Sequence, residues 1–247
     1  MKDIKINYYQ SQILRQNNFT HAFFTKKSSL VDISSLSNIL TNKIYVNHTL
    51  QQIHSNDISY TSRLDMEKNI KADGLISDGK NENLWIYTAD CMPILFADKT
   101  SKRVAAIHCG RKGLEKNIIS NLIQKLEIIG SLRKNLLVAI GPSISGNNYL
   151  LDKETYNKFH DNFKFNKHSL SKNLLNKNLK KLNKINEYGL ISLDIKYCAY
   201  LQLISENINP DNIDIFYKCT FESNHEFHSW RRSKNQERQW STISQNN

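Results

Sequence analysis

The sequence lacks the features that mark secreted and membrane proteins. Its four cysteines, Cys91, Cys109, Cys198 and Cys219, show no close pairing, so a disulfide-stapled secreted fold is not expected. The first ten residues contain no apolar segment of the kind that a secretory signal needs. No run approaches the roughly 18 consecutive apolar residues that a membrane span requires. We therefore expect a protein of the reducing cytoplasm with no membrane partner.

Internal repeats and low-complexity linkers are also missing. The 247 residues are 39% hydrophobic, which suits one well-buried domain over residues 1–247. A stretch rich in Lys and Asn at about 162–187 is predicted to be a surface insertion in this domain, because its charges favour a solvated face. Strand-like and helix-like segments alternate elsewhere, which indicates an α/β (α+β) fold.

The most ordered part of the sequence predicts three strands and one helix. Apolar runs at 84–87, 94–97 and 104–107 are typical of buried strands. Pro93 cannot donate a hydrogen bond to a central ladder, so it predicts a break that holds Cys91 at a bend. From Gly113 the apolar period changes from 2 to 3.6, which predicts one amphipathic helix that ends at Gly130.

The chain carries an excess of positive charge. Its 34 basic and 23 acidic residues give a net charge of +11 and a pI near 9.4. This charge would attract phosphate groups, nucleotides or nucleic acid. No RNA-binding signature and no helix-turn-helix with a basic recognition face is visible, so a specific nucleic-acid partner is not expected.

Three soft metal-binding side chains, His54, Cys91 and His108, occur where strand-like segments give way to turns. They are far apart in the sequence, unlike the tight local pairs of a structural zinc finger, so only a folded core could bring them together. Three protein ligands leave a fourth position open for water or substrate. The pattern therefore predicts a catalytic metal site, with Zn²⁺ as the first choice.

Two other chemistries suit the same residues. Cys91 could be the thiolate nucleophile and His108 the base of a metal-free cysteine hydrolase. Two imidazoles and a thiolate also suit Cu²⁺. A multicopper oxidase, however, needs additional histidine clusters that the sequence does not contain.

Seven short blocks give the sequence a resemblance to a known family. They are Gln52-Ile53-His54, Ala72-Asp73-Gly74-Leu75, Thr88-Ala89-Asp90-Cys91-Met92-Pro93, Ala106-Ile107-His108-Cys109-Gly110, Ile140-Gly141-Pro142-Ser143-Ile144, Cys219-Thr220 and Ser229-Trp230-Arg231-Arg232. In this order they resemble the YfiH-type, laccase-domain family over nearly the whole chain. The resemblance implies a single-domain sandwich in which mixed β-sheets pack between outer helices.

The same resemblance implies a function. Proteins of this family are described as cytoplasmic zinc-binding enzymes that phosphorolyse adenosine, inosine, guanosine and methylthioadenosine and that also deaminate adenosine. The family has further been called a multicopper polyphenol oxidase and a peptidoglycan editing factor. We therefore expect a zinc-dependent purine nucleoside enzyme, as a monomer or homodimer. Copper-dependent polyphenol oxidation and metal-free hydrolysis of an amide or peptidoglycan-related substrate are the alternatives.

The matched motifs assign residues to this site. His54, Cys91 and His108 match the family's metal ligands. For deamination, Asp73 and Asp90 are the candidate carboxylates for proton transfer beside the metal. For phosphorolysis, the charge of phosphate would be balanced by basic side chains, for which the candidates are Lys26, Arg111, Lys112, Arg231 and Arg232.

The sequence departs from the family pattern close to these residues. Arg111 stands where tryptophan is usual and Lys112 where arginine is usual, so phosphate would be held there with less directional precision. The usual T-R-x-G-G-V-S block is replaced by Thr25-Lys26-Lys27-Ser28-Ser29, and Leu150 replaces a usual glutamate. The metal triad is intact, whereas the residues expected to orient the substrate differ.

Overall fold

The computed structural model describes residues 6–41, 43–64, 70–163 and 185–245. Their strands form a five-stranded sheet, a six-stranded sheet and a two-stranded pair. The predicted insertion at about 162–187 lies largely outside the described residues and stays a prediction. Within the described ranges, every helix is too short or too polar to cross a lipid bilayer.

The strands are β1 (Tyr8–Tyr9), β2 (Thr20–Phe24), β3 (Val46–His48), β4 (Ile58–Tyr60), β5 (Gly74–Ile76), β6 (Glu82–Thr88), β7 (Met92–Asp98), β8 (Val104–Cys109), β9 (Leu136–Ile140), β10 (Leu150–Leu151), β11 (Ile191–Ser192), β12 (Ile213–Ile215) and β13 (Gln239–Ser244). The helices are α1 (Gln12–Gln16), α2 (Ile33–Leu40), α3 (Thr61–Leu64), α4 (Arg111–Glu115), α5 (Ile118–Ile128), α6 (Lys153–Asn162), α7 (Ile195–Ser205) and α8 (Trp230–Ser233). Short 3-10 helices cover Lys26–Leu30, Arg133–Asn135 and Pro210–Asn212.

Both large sheets are mixed. The five-stranded sheet has the order β1-β2-β13-β6-β3, and its only parallel pair is β3 with β6. The six-stranded sheet has the order β12-β9-β7-β8-β5-β4, with parallel pairs at its two edges and antiparallel pairs between them. The mixed-sheet fold class predicted from the sequence is confirmed.

The two-residue period of the strands builds the layers. In β7, Leu95 and Ala97 face a core between the two sheets, whereas Ile94 and Phe96 face the helices on the other side. Helices α5 and α7 cover that outer face of the six-stranded sheet. Helix α2 covers the outer face of the five-stranded sheet, where Leu36 packs with buried aromatic residues. The sheets therefore lie between outer helices, as the resemblance implied.

Two local predictions were wrong. Pro93 does not break the strand: β7 begins at Met92, and Pro93 pairs with His108 as the second strand residue. The strand tolerates it there because the carbonyl of Pro93 still accepts a hydrogen bond from Gly141, so only one donor is lost. The predicted single helix from Gly113 is two helices, because Asn117 adopts a left-handed conformation (φ 57°) between α4 and α5.

Candidate active site

The candidate site lies at the edge of the six-stranded sheet where β7 begins and β8 ends. Because Pro93 lies opposite His108 in the antiparallel register, Cys91, at the bend just before β7, comes next to His108. Asp73 directly precedes β5, the other neighbour of β8. Its carbonyl accepts the backbone N–H of His108 at 2.7 Å. Three separate chain segments therefore meet at one end of the sheet.

His54 reaches the same place from the loop between β3 and β4. The buried Asp73 carboxylate accepts the backbone N–H groups of Ile53 at 3.2 Å, His54 at 3.0 Å and Ser55 at 2.6 Å. It also accepts the Ser55 hydroxyl at 2.9 Å. These bonds hold His54 in a left-handed backbone conformation (φ 60°), which is uncommon for a residue other than glycine and is often found at functional sites.

The predicted metal ligands converge. One ligand atom from each of His54, Cys91 and His108 lies within 4.8 Å of the other two. The two imidazole rings are nearly perpendicular, with centroids 4.7 Å apart. A Cβ at Gly110 would collide with Cys91 Sγ, so the turn after β8 needs glycine for the thiol to fit. Two nitrogens and one sulfur at this spacing fit a divalent ion that binds soft ligands and keeps an open position.

Asp73 also fixes the orientation of the His108 ring. The Nδ1–H group of His108 donates to Asp73 Oδ1 at 2.7 Å, which leaves Nε2 as the nitrogen available to a metal. Burial disfavours the charged forms of both His108 and Asp73. For His108, the Cys91 thiolate and Asp73 outweigh burial and raise its pKa to about 9. For Asp73, hydrogen bonds from His108 and Ser55 outweigh burial and lower its pKa to about 2.

The surroundings of Cys91 favour its thiolate form. Burial alone would raise its pKa, but the positive charge and hydrogen bond of His108, together with His54, lower the pKa to about 6. Cys109 differs, because burial raises its pKa well above the usual value. Of the two neighbouring thiols, Cys91 therefore has the electrostatic environment of a metal ligand or nucleophile, whereas Cys109 is a buried apolar group.

A cavity of about 660 Å³ opens over this cluster. Besides the three predicted ligands, polar, aromatic and cationic side chains line it: Gln52, Tyr87, Thr88, Asp90, Arg111, Lys112, Tyr149, Trp230, Arg231, Gln236 and Arg238, with Ala89, Ile144 and Ile195. The volume is typical of a small-molecule site, and polar and charged side chains form most of its lining.

Asp90, one of the two predicted carboxylates, lines this cavity and connects its walls. Its Oδ1 accepts the hydroxyl of Thr220 at 2.7 Å, and its Oδ2 accepts the backbone N–H of Arg231 at 2.6 Å. Its own backbone is left-handed (φ 89°), which makes the bend that presents Cys91. Asp73, by contrast, lies behind His108 and does not line the cavity.

The predicted phosphate-binding residues separate into two groups. Arg111, Lys112 and Arg231 line the cavity. The structure does not bring Lys26 and Arg232 to it. Lys26 Nζ donates to the carbonyl of Asn224 at 2.7 Å. The Arg232 guanidinium donates to three backbone carbonyls at 2.7 to 2.8 Å, those of Thr220, Phe221 and Phe227.

Sequence reasoning missed Tyr149, Trp230 and Arg238 as cavity residues. The guanidinium of Arg231 lies over the Tyr149 ring, 5.0 Å from its centroid. Burial raises the pKa of Tyr149, and Arg111 and Arg231 oppose that effect, so its hydroxyl lies close to both cations. The aromatic and cationic residues at 230 and 231 follow one another, which was a signal for Trp230. No sequence signal distinguished Tyr149 from a core residue.

Together, the layered fold and the open His-Cys-His cluster define a protein of the α/β class with a candidate three-ligand metal centre. The profile of the family described as multi-copper polyphenol oxidoreductase laccase matches residues 31–246. The chain belongs to this family, and the resemblance drawn from the sequence blocks is confirmed.

Named relatives and a solved structure agree with this assignment. The chain is similar to a purine nucleoside phosphorylase of Synechocystis, at 32% identity over 179 residues that cover 70% of the chain and 67% of the relative. It is also similar to a purine nucleoside phosphorylase of Rickettsia conorii, at 33% identity over 160 residues that cover 62% of the chain and 64% of the relative. The matches thus span about two thirds of these relatives. The crystal structure of the hypothetical protein YfiH from Bacillus licheniformis shares the fold, with a TM-score of 0.79, 22% identity and 94% coverage of both chains.

Proposed function

We propose that this protein cleaves purine nucleosides by phosphorolysis at the His54–Cys91–His108 centre. One observation carries the proposal: the cavity that contains the three ligand atoms is also lined by several cations and aromatic rings. A purine offers a flat ring for stacking, and phosphate needs positive charge. The printed names of the two relatives, both purine nucleoside phosphorylases, support the same reaction class.

Zinc is the metal that we propose for the site. Bound to two imidazoles and one thiolate, zinc would supply a Lewis acid with one open coordination position. The Asp73 carboxylate supports this role because it orients the His108 ring and the His54 loop together. Copper would accept the same ligands. Among the residues that the structure describes, however, this is the single cluster with metal-binding spacing, which gives no support to a multicopper oxidase.

The anion would bind beside Arg231. Its side chain donates to the carbonyl of Leu150 at 3.0 Å and stacks on Tyr149, and no ion pair with a described carboxylate neutralises it. Arg111 is less available because it pairs with Glu115. In the proposed reaction an oxygen of hydrogen phosphate attacks C1′ of the ribose, the bond from C1′ to the purine nitrogen breaks, and the base leaves with the proton that hydrogen phosphate gives up. Arg231 would hold the attacking phosphate in place.

Trp230 would contact the nucleoside. Its side chain is 45% exposed and lines the cavity next to Arg231. Lys234 Nζ lies 3.8 Å from the centroid of this indole, so a purine would stack on the opposite face of the ring.

The carboxylates favour phosphorolysis over adenosine deamination. Deamination needs a carboxylate that can move a proton at the purine ring. Asp73 lies behind His108 and accepts five hydrogen bonds. Asp90 lines the cavity, but its two oxygens already accept hydrogen bonds from Thr220 and Arg231. Asp73 therefore has no carboxylate oxygen directed at the cavity, and each oxygen of Asp90 is already bonded to a cavity wall, which supports phosphorolysis over deamination.

Product identification tests the proposal. Purified protein of known metal content is incubated with adenosine, with and without phosphate. We expect adenine and ribose 1-phosphate, formed only when phosphate is present and only while the metal is bound. Inosine formed without phosphate would replace the proposal with deamination. Full activity after metal removal would replace it with the cysteine hydrolase, and no turnover of adenosine, inosine, guanosine or methylthioadenosine would reject it.

The substitution Arg231→Gln tests the phosphate assignment. A charge-assisted hydrogen bond contributes about 1.5–3 kcal/mol, so we expect the KM for phosphate to rise about 10- to 100-fold. The KM for the nucleoside should change much less. Lys26→Gln removes the same charge outside the cavity and is the matched control, with kinetics expected to stay unchanged. If the two variants behave alike, Arg231 does not bind phosphate.

A further inference from the structure

Lys196 is a buried cation for which the proposed reaction has no use. It is 5% exposed, although lysine is almost never fully buried without a charged partner. Its Nζ donates to the carbonyl of Lys218 at 2.9 Å and to the carbonyl of Ser143 at 3.4 Å. Both acceptors are neutral, and no ion pair joins Lys196 to a carboxylate among the described residues. The position therefore holds a positive charge that lacks a direct counter-charge.

The pKa of Lys196 reflects the lack of a direct counter-charge. Burial lowers the pKa of Lys196 to about 8, although Asp194, Cys219 and Glu222 at longer range oppose the effect. An ammonium group has three donors, and the two carbonyls use two of them. One donor and most of the charge thus remain for another group.

Lys196 lines a second cavity of about 470 Å³, which is separate from the metal site. Tyr197, Tyr200 and Tyr217 form aromatic walls, and the apolar residues Ile213 and Ile215 of β12 complete them. The rings of Tyr197 and Tyr200 are stacked, with centroids 6.2 Å apart and an interplanar angle of 27°. A flat ring could pack against this pair.

Two carboxylates also line this cavity, but both are already engaged. Asp194 accepts the backbone N–H of Tyr197 and caps helix α7. Asp214 accepts the hydroxyl of Ser11 at 2.7 Å and the backbone N–H of Gln12 at 3.0 Å. Both carboxylates keep their negative charge, because their donors are neutral, whereas Lys196 is the charged lining group whose ammonium keeps one donor without an acceptor.

We propose that this cavity is a second ligand site that binds a small aromatic carboxylate, with its carboxylate on Lys196 Nζ and its ring against the tyrosines. The ion pair would supply the missing counter-charge, and charge-assisted hydrogen bonds are about twice as strong as neutral ones. The apolar walls would cover the ring. The site shares a wall with the metal cavity, since Ile144 and Ile195 line one cavity and their neighbours Ser145 and Lys196 line the other.

Calorimetric titration with benzoate tests the proposal, with benzamide as the uncharged analogue and inorganic phosphate as the non-aromatic anion. We expect benzoate to bind wild-type protein at least 10-fold more tightly than benzamide, and phosphate not to compete for the same site. Lys196→Met should weaken benzoate binding at least 10-fold. Lys218→Met is the matched control, because that lysine side chain pairs with Glu226 away from the cavity, and it should bind benzoate normally.

Other results would overturn the proposal. The first is equal affinity for benzoate and benzamide, and the second is unchanged benzoate affinity in Lys196→Met. The third is loss of benzoate binding in Arg231→Gln, because this loss would place benzoate in the metal cavity. If Lys196→Met does not fold, limited acylation of the wild-type protein with acetic anhydride at pH 8 gives the second measurement. Benzoate should then protect Lys196 and leave Lys218 labelling unchanged in the mass spectrum; equal labelling with and without benzoate would reject the site.

Discussion

The Cys91→Ser protein is expected to lose bound metal and nucleoside turnover together while keeping its fold. A serine hydroxyl stays protonated near neutral pH and is a poor ligand for a soft divalent ion. The effect should exceed the 10- to 100-fold loss of metal affinity that is typical when a residue behind a ligand is changed. Metal content by mass spectrometry, kcat/KM for adenosine with phosphate, and the midpoint of thermal unfolding together check this expectation.

Cys109→Ala is the control for this experiment. Cys109 is a buried thiol that follows His108 in the chain, and alanine removes only its sulfur. The Cys109→Ala protein should keep its metal and its turnover. A Cys91→Ser protein that retains stoichiometric metal and full activity would show that the thiolate is not a ligand. Loss of activity with full metal retention would favour Cys91 as a nucleophile.

Replacing Asp73 by asparagine is expected to weaken both the metal site and the fold. Asp73 Oδ1 accepts N–H groups from His54 and His108, and Oδ2 accepts N–H groups from Ile53 and Ser55. In either orientation, the asparagine NH₂ would face two of these donors. Each buried donor left without an acceptor costs about 1–3 kcal/mol, and loss of the ligand orientation should reduce metal affinity about 10- to 100-fold.

Asp98→Asn separates the two effects. Asp98 is also buried, at 2% exposure, and accepts the backbone N–H groups of Thr100 and Ser101. It lies at the end of β7 away from Cys91. We expect Asp98→Asn to change the free energy of unfolding and to leave metal affinity unchanged. If Asp73→Asn binds metal as tightly as wild type, the histidines do not depend on this carboxylate for their orientation.

The metal ligands were predicted to converge from their residue types at the ends of strand-like segments and from the family resemblance, and the strand pairing shows how this happens. Once the apolar runs around 94–97 and 104–107 pair as neighbours, Cys91 and His108 must meet at one end of the sheet. The role of Asp73 was harder to predict. It was a candidate for proton transfer, whereas the structure gives its carboxylate five donors from the two histidine segments. Hydrogen bonds between residues distant in sequence leave no periodic pattern.

The basic residues show a second limit of prediction. Arg231 and Arg232 are adjacent and chemically identical, yet one side chain lines the cavity and the other donates to three carbonyls. The short helix α8 and the Asp90 contact determine which of the two arginine side chains faces the cavity. Likewise, the break between α4 and α5 depends on one left-handed asparagine, which the apolar period does not reveal.

The position of β13 determines how the proposed metal centre and the proposed substrate wall depend on folding. This strand lies between β2 and β6 in the centre of its sheet, and the cavity residues Trp230 and Arg231 lie on the segment that leads into it. His108 instead lies in β8 of the other sheet, and Cys91 directly precedes β7 of that sheet. Local opening of β13 would therefore detach the proposed substrate wall and leave the His54–Cys91–His108 cluster in place. A partly opened molecule should keep its metal and lose its affinity for nucleoside, so metal content alone would not report the fraction of competent enzyme.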